Sequence, residues 1–166
     1  MLQTLSDLGL GERAGEALAA YRADYTSRGW AMNALYDGIA ELLDDLRSAG
    51  VRLAVATSKS EPAALRILDH FGIAAHFEVI AGAGADGSRA TKSEVLAHAL
   101  SQLGQLPQAV LMVGDRVHDV EGASSHGIDT VVVEWGYGAS DFAANDAPSP
   151  AASVATIAEL REVLGV

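Results

Sequence analysis

The stretch "VLMVGDRVHDVEGA", Val110 to Ala123, decides how the rest of the chain is read. An apolar run, Val110-Leu111-Met112-Val113, stops at Gly114 and is followed by Asp115 and Asp119, with Arg116 and His118 between them. The run reads as a short buried strand, and the glycine lets the backbone turn tightly at its end. Two carboxylates there suit a hard divalent cation, since magnesium takes carboxylate oxygens together with water and substrate phosphate. Plainer readings exist for each residue. Gly-Asp is common in turns, and Asp119 can simply sit in the first turn of the next helix, where the helix dipole favours it.

Outward from this stretch the chain alternates. Residues 37–49 form an amphipathic helix with Ile39, Leu42, Leu43 and Leu46 inward, and Gly50 stops it. A strand is expected over 51–57, a helix from Glu61 to Phe71 with Pro62 in its first turn, and a strand over 77–83. A helix over 92–103, strands over 109–114 and 129–135, and a closing helix at about 153–164 follow. That last helix would carry Val154, Ile157, Leu160 and Leu164. Short Val/Ile/Leu-rich strands alternating with helices predict an α/β fold, a doubly wound parallel sheet covered on both faces. The stretch 137–152 reads as a surface loop. Residues 10–28 are helical, with Leu10, Ala14, Leu18 and Tyr21 on one stripe, and stand outside the alternation.

In an open parallel sheet, ligands bind beyond the carboxyl ends of the strands. Thr57, Ser58 and Lys59 follow the first strand, Lys92 comes after the second and its Gly-rich loop, and Gly114-Asp115 follows the third. A hydroxyl donates to a phosphate oxygen and an ammonium neutralises it. Singly, Thr57, Lys92 and Asp119 suit caps and solvated surface better. Taken in order at successive strand ends, they suit a phosphate and metal site.

Composition narrows the classes. The net charge of −11 over 166 residues disfavours nucleic acid and anionic membrane surfaces as partners. Cysteine is absent, which excludes disulfides, thiolate nucleophiles and Cys-based zinc sites. No apolar run approaches the roughly 20 residues of a membrane span. The N-terminus shows no basic-then-apolar signal pattern, so the chain reads as cytoplasmic. Lysine occurs only at Lys59 and Lys92.

"LAVATSK", Lys92 within "RATKSEVL", and "VLMVGDRVHDVEGASSHGI" together resemble the haloacid dehalogenase superfamily, and within it the phosphoglycolate phosphatase-like hydrolases. The resemblance covers the chain from about residue 37 onward. It implies a Rossmann-like core over 34–166, with residues 1–33 as the remnant of a small helical cap. The stretches "YRADYTSRGWAMNALYDGI" and "HGIDTVVVEWGYG" are also similar to a member of the superfamily described as transferring phosphate to protein tyrosine. By resemblance, Thr57 hydrogen-bonds the transferring phosphoryl group, helped by Ser58, and Lys92 neutralises it. Asp115 holds Mg²⁺, with Asp119 supporting the metal site. The family's nucleophile is the first aspartate of a DxD motif on a central strand, and it forms an aspartyl-phosphate.

This sequence contains no DxD. The family's missing strand lies between the strands expected at 51–57 and 109–114. Its absence exposes two edges whose unpaired backbone groups cost about 1–3 kcal/mol each when desolvated and which invite aggregation. The expectation is therefore a truncated chain of a Mg²⁺-dependent phosphoryl-transfer enzyme. A hydrolase of small phosphomonoesters comes first, phosphotransfer to a protein acceptor second, and a non-catalytic phosphate- or metal-binding fragment third.

Overall fold

The computed structural model describes residues 7, 9, 11–142 and 148–166. The chain divides into two compact units, Met1–Ala34 and Leu35–Val166. In the first, a 3₁₀ turn at Gly11–Arg13 leads into helix α1 (Ala14–Ser27), and a second 3₁₀ turn spans Gly29–Ala31. Ala14 and Leu18 are buried as the stripe predicts. Tyr21 is not: it stands half exposed and stacks on Tyr25 one turn later, with ring centroids 5.9 Å apart. Leu10 lies outside the described residues.

The second unit alternates helix and strand as α2 (Ile39–Ser48), β1 (Ala54–Ser60), α3 (Glu61–His70), β2 (Val79–Ala83), α4 (Lys92–Leu103), β3 (Leu111–Gly114), α5 (Val117–Ser124), β4 (Asp129–Val133), β5 (Ala152–Val154) and α6 (Ile157–Leu164). All strand pairs are parallel. β1 pairs with β2, and β3-β4-β5 form a second group, with no ladder between β1 and β3 among the described residues. The break falls where the missing central strand was expected. Its mark on packing is visible on β3. Leu111 and Val113 are 40% and 38% exposed, although they sit beside the buried Val131 of β4 in the same sheet.

Each sheet has helices on two faces. Ala56, Val79 and Ala81 pack under Val95 and Ala99 of α4. Gly82, one residue along β2 and so on the other face, abuts the start of α3. In the second sheet Val131 and Val154 join Leu42, Leu46 and Leu160 of α2 and α6, while α5 covers β3 and β4. Helix α4 touches β1, β2 and α5, so it spans the break.

In the second unit, three boundaries differ from the sequence reading by three residues or more. β1 begins at Ala54 rather than 51, because Arg52 turns away to hold both carboxylate oxygens of Glu78 and the carbonyls of Leu103 and Gln105. It also runs on through Thr57, Ser58 and Lys59 to Ser60, with the register slipping between Thr57 and Ser60. β5 replaces the expected end of the 137–152 loop and the first residues of the closing helix. Val154 is buried on that strand, and the helix starts after Thr156, whose hydroxyl caps it by accepting from the Glu159 N–H at 3.2 Å. Residues 143–147 of the expected loop lie outside the described residues.

Candidate functional site

Lys92 opens α4. Thr91 caps that helix reciprocally with Glu94, which fixes the first turn and the direction of the lysine stem. The Lys92 ammonium donates to the carbonyl of Ala56 on β1 at 2.9 Å and lies 2.7 Å from Asp119 Oδ1 on α5. Both side chains are mostly buried, so each charge depends on the other. Gly122 makes the approach possible. A Cβ there would come within 2.6 Å of Lys92 Cγ.

The second oxygen of Asp119 accepts the backbone N–H groups of Asp115 and Arg116, each at 3.1 Å. Asp119 thus folds back over the end of β3. Gly114 is needed for space: a Cβ on it would sit 2.5 Å from Asp119 Oδ2. The chain bends directly after Gly114, at 115 and 116, and Gly114 itself keeps a negative φ, so here the glycine serves clearance rather than a left-handed conformation.

Asp115 is held differently. Its Oδ2 accepts the N–H of Tyr137 at 2.7 Å, and its Oδ1 carries no hydrogen bond among the described residues. The loop behind β4 presses against it. A Cβ on Gly136 would lie 2.3 Å from Asp115 Cβ, and one on Gly138 would lie 1.8 Å from the Asp115 carbonyl oxygen. Next to it, Arg116 pairs with Asp141 in the short turn Ala139–Phe142. The hydrogen bond from Arg116 holds the Asp141 carboxyl below the usual carboxylate range, and Asp141 in turn raises the guanidinium.

At β1 the Thr57 hydroxyl accepts the Lys59 N–H at 3.2 Å within the slipped register. Ser58 and Lys92 line a cavity of about 360 Å³ together with Ser93, His118, Glu121 and Ser125; Thr57 and Asp115 do not line it. Of the sequence candidates, the fold links Lys92, Asp119 and Asp115 by direct contacts, and Thr57 adjoins the residue whose carbonyl holds Lys92. No group of three or more histidine, aspartate or glutamate side chains suited to a metal occurs among the described residues. The free Asp115 oxygen fits one position of a magnesium ion that takes its other donors from water and phosphate. Both oxygens of Asp119 are already engaged.

Sequence reasoning missed Ala56, Gly122, Tyr137 and Asp141. Their contributions are a carbonyl, a missing side chain, a backbone N–H and a distant ion pair. "GYG" behind the fourth strand was the one available signal, and it required knowing what the loop meets.

Parallel strands carrying their charged and hydroxyl groups at the carboxyl edge place the chain among the Rossmann-like α/β proteins that handle ligands there. Within that class, the chain belongs to the haloacid dehalogenase-like hydrolases, whose pattern matches residues 3–133. It is 66% identical to tyrosine-protein kinase PtkA of Mycobacterium tuberculosis over all 166 residues and spans 57% of that protein's length. The solved PtkA structure superposes with a TM-score of 0.87, covering 100% of this chain and 77% of that one. A 5'-nucleotidase of Pseudomonas aeruginosa is 40% identical over 152 residues, 92% of this chain and 68% of its own. A phosphoglycolate phosphatase of Aquifex aeolicus is 30% identical over 122 residues, 74% of this chain and 57% of its own. No described helix is long and apolar enough to cross a membrane.

Proposed function

We propose that this chain forms the phosphate- and magnesium-holding part of a phosphotransferase whose acceptor is a protein tyrosine. The acceptor rests on the 66% identity to PtkA across the full chain, which reverses the order of the sequence reading, where small phosphomonoesters came first. The phosphate site rests on Lys92. Its ammonium has three protons; Ala56 and Asp119 take two, and the third is left for a phosphoryl oxygen. Thr57 and Ser58 donate from the neighbouring strand end. Asp115 Oδ1 takes the metal, which when bound neutralises charge on the phosphoryl oxygens. Asp119 acts through others: it fixes Lys92 and the backbone of Asp115.

Neither aspartate is placed to attack phosphorus, since both oxygens of Asp119 are engaged by Lys92 and backbone N–H groups and Asp115 is turned to the loop and the metal position. A further strand pairing with the unpaired edges of β1 and β3 would be the place for the attacking carboxylate. By itself, the 166-residue stretch is expected to show no useful turnover. Hydrolysis of a small phosphomonoester is the second reading, supported by the likeness to the 5'-nucleotidase.

The test compares the full-length protein on a tyrosine peptide with ATP and on an aryl phosphate, each with Mg²⁺. Peptide phosphorylation lost in Lys92→Ala and Asp115→Asn is the expected result. Turnover of the aryl phosphate alone would favour the hydrolase. Metal-dependent turnover by the 166-residue stretch would show that the nucleophile is misplaced here.

A further inference from the structure

We propose that the Arg116–Asp141 ion pair is a positioning latch, which holds the loop 134–142 against Asp115 so that one carboxylate oxygen is committed to the Tyr137 N–H and the other is presented to the metal. This rests on the reading of Asp115 as a magnesium ligand. The geometry is a closed ring. Asp115 Oδ2 accepts the Tyr137 N–H at 2.7 Å. The chain continues from Tyr137 to Gly138, whose carbonyl accepts the Asp141 N–H at 2.9 Å. The Asp141 carboxylate returns to Arg116, the residue bonded to Asp115.

Up to Trp135 the loop is anchored, because Trp135 packs against the core of α2, α6 and β4 and the Glu134 N–H donates to the Val154 carbonyl; past that residue other anchors are few. Tyr137 is 90% exposed, so its side chain does not anchor the segment. Gly136 and Gly138 supply the clearance for close approach but no attraction. At the far side of the turn the backbone N–H is therefore kept on Asp115 through Asp141, whose carboxylate takes Arg116 as its main partner and the Val117 N–H as a second. A carboxylate with one oxygen fixed in this way presents the other at a defined angle. Such partners of a metal ligand govern affinity through orientation rather than through added charge. Asp141 and Arg116 are accordingly positioning residues and touch neither metal nor phosphate.

The experiment uses the full-length protein and Mg²⁺ alone. Magnesium affinity is measured by calorimetry, and protection of the Tyr137 amide by hydrogen exchange, in the wild type, Asp115→Asn, Asp141→Ala and the charge-swapped double variant Arg116→Asp/Asp141→Arg. The latch predicts that Asp141→Ala weakens magnesium binding by about tenfold and speeds exchange at Tyr137, and that the swap restores both. Thermal melting separates these effects from general loss of fold, because the swap recovers orientation only if the pair itself matters. If Asp115→Asn abolishes magnesium binding while Asp141→Ala leaves affinity and Tyr137 protection unchanged, the latch is wrong and the metal reading stands. If Asp115→Asn leaves magnesium binding intact, the metal reading fails and the latch's role falls with it.

Discussion

At the end of β3, both oxygens of Asp119 are occupied, Asp115 is clasped from behind, and three glycines leave no spare volume. At the end of β1 the pairing slips, and Ser58, Lys59 and Ser60 face solvent. The two ends lie on either side of the same break, joined through Lys92. The difference teaches how the edge divides its work. Charge sits in a rigid cradle where burial makes every partner obligatory. The hydroxyls of Ser58 and Ser60, with Lys59 between them, sit on exposed backbone where the ladder is irregular.

That contrast sets the order of expected effects. Lys92→Met strands the Asp119 carboxylate, which is 5% exposed, and should cost about 3–5 kcal/mol in urea unfolding of the full-length protein. A loss below about 1 kcal/mol, the ceiling for an exposed pair, would show that the cradle is solvated. Gly114→Ala forces a methyl group into Asp119 and should cost about 1–3 kcal/mol, read from the same unfolding curves. A neutral result would mean that the end of β3 can relax like that of β1.

Thr57→Val removes one weak hydrogen bond and should cost about 1 kcal/mol or less. Its phosphate affinity, measured by titration with inorganic phosphate, should fall nonetheless. Equal phosphate binding in Thr57→Val and wild type would take the hydroxyl out of the site.

The smallest effect lies at the opposite end of the strands. The hydrogen bond from Arg52 holds the Glu78 carboxyl below its ordinary range, so folding favours the ionised form. That contribution is present above the ordinary glutamate range and is lost as the pH falls through the lowered native value. Glu78→Gln should therefore make the acid limb of stability against pH slightly shallower. An unchanged limb would show that the exposed pair is inert.

The sequence carried the fold where periodicity was strong. The helix over 92–103 and the existence of the strands at 77–83, 109–114 and 129–135 were legible, because apolar runs and their spacing are local signals. β5 was not, since three residues, Ala-Ser-Val, carry no period, and their strand character comes from lying beside β4. At the site, the charged residues could be picked from their places after strands. Which aspartate keeps a free oxygen could not, because that is decided by Tyr137 and Lys92, far away in sequence. The demand for glycine at 114 has a related reason. Local chemistry suggests only the turn, while the clearance is set by a side chain folded back from five residues on.

The glycines at 114, 136 and 138 also have a genetic consequence. Every glycine codon begins GG, and every missense change of one base brings in a residue with a Cβ. At these three positions even the smallest such residue meets Asp119 or Asp115 closer than any real Cβ contact. At the end of β3, then, every single-base missense change of these glycines carries a steric cost. In a saturation library of the full-length gene, these positions should be the most depleted for substitutions of every kind, alanine included. Codons for Ser58 and Lys59, two strands away on the same edge, should tolerate a broad spectrum of replacements for folding and be filtered only when the selection demands phosphate transfer.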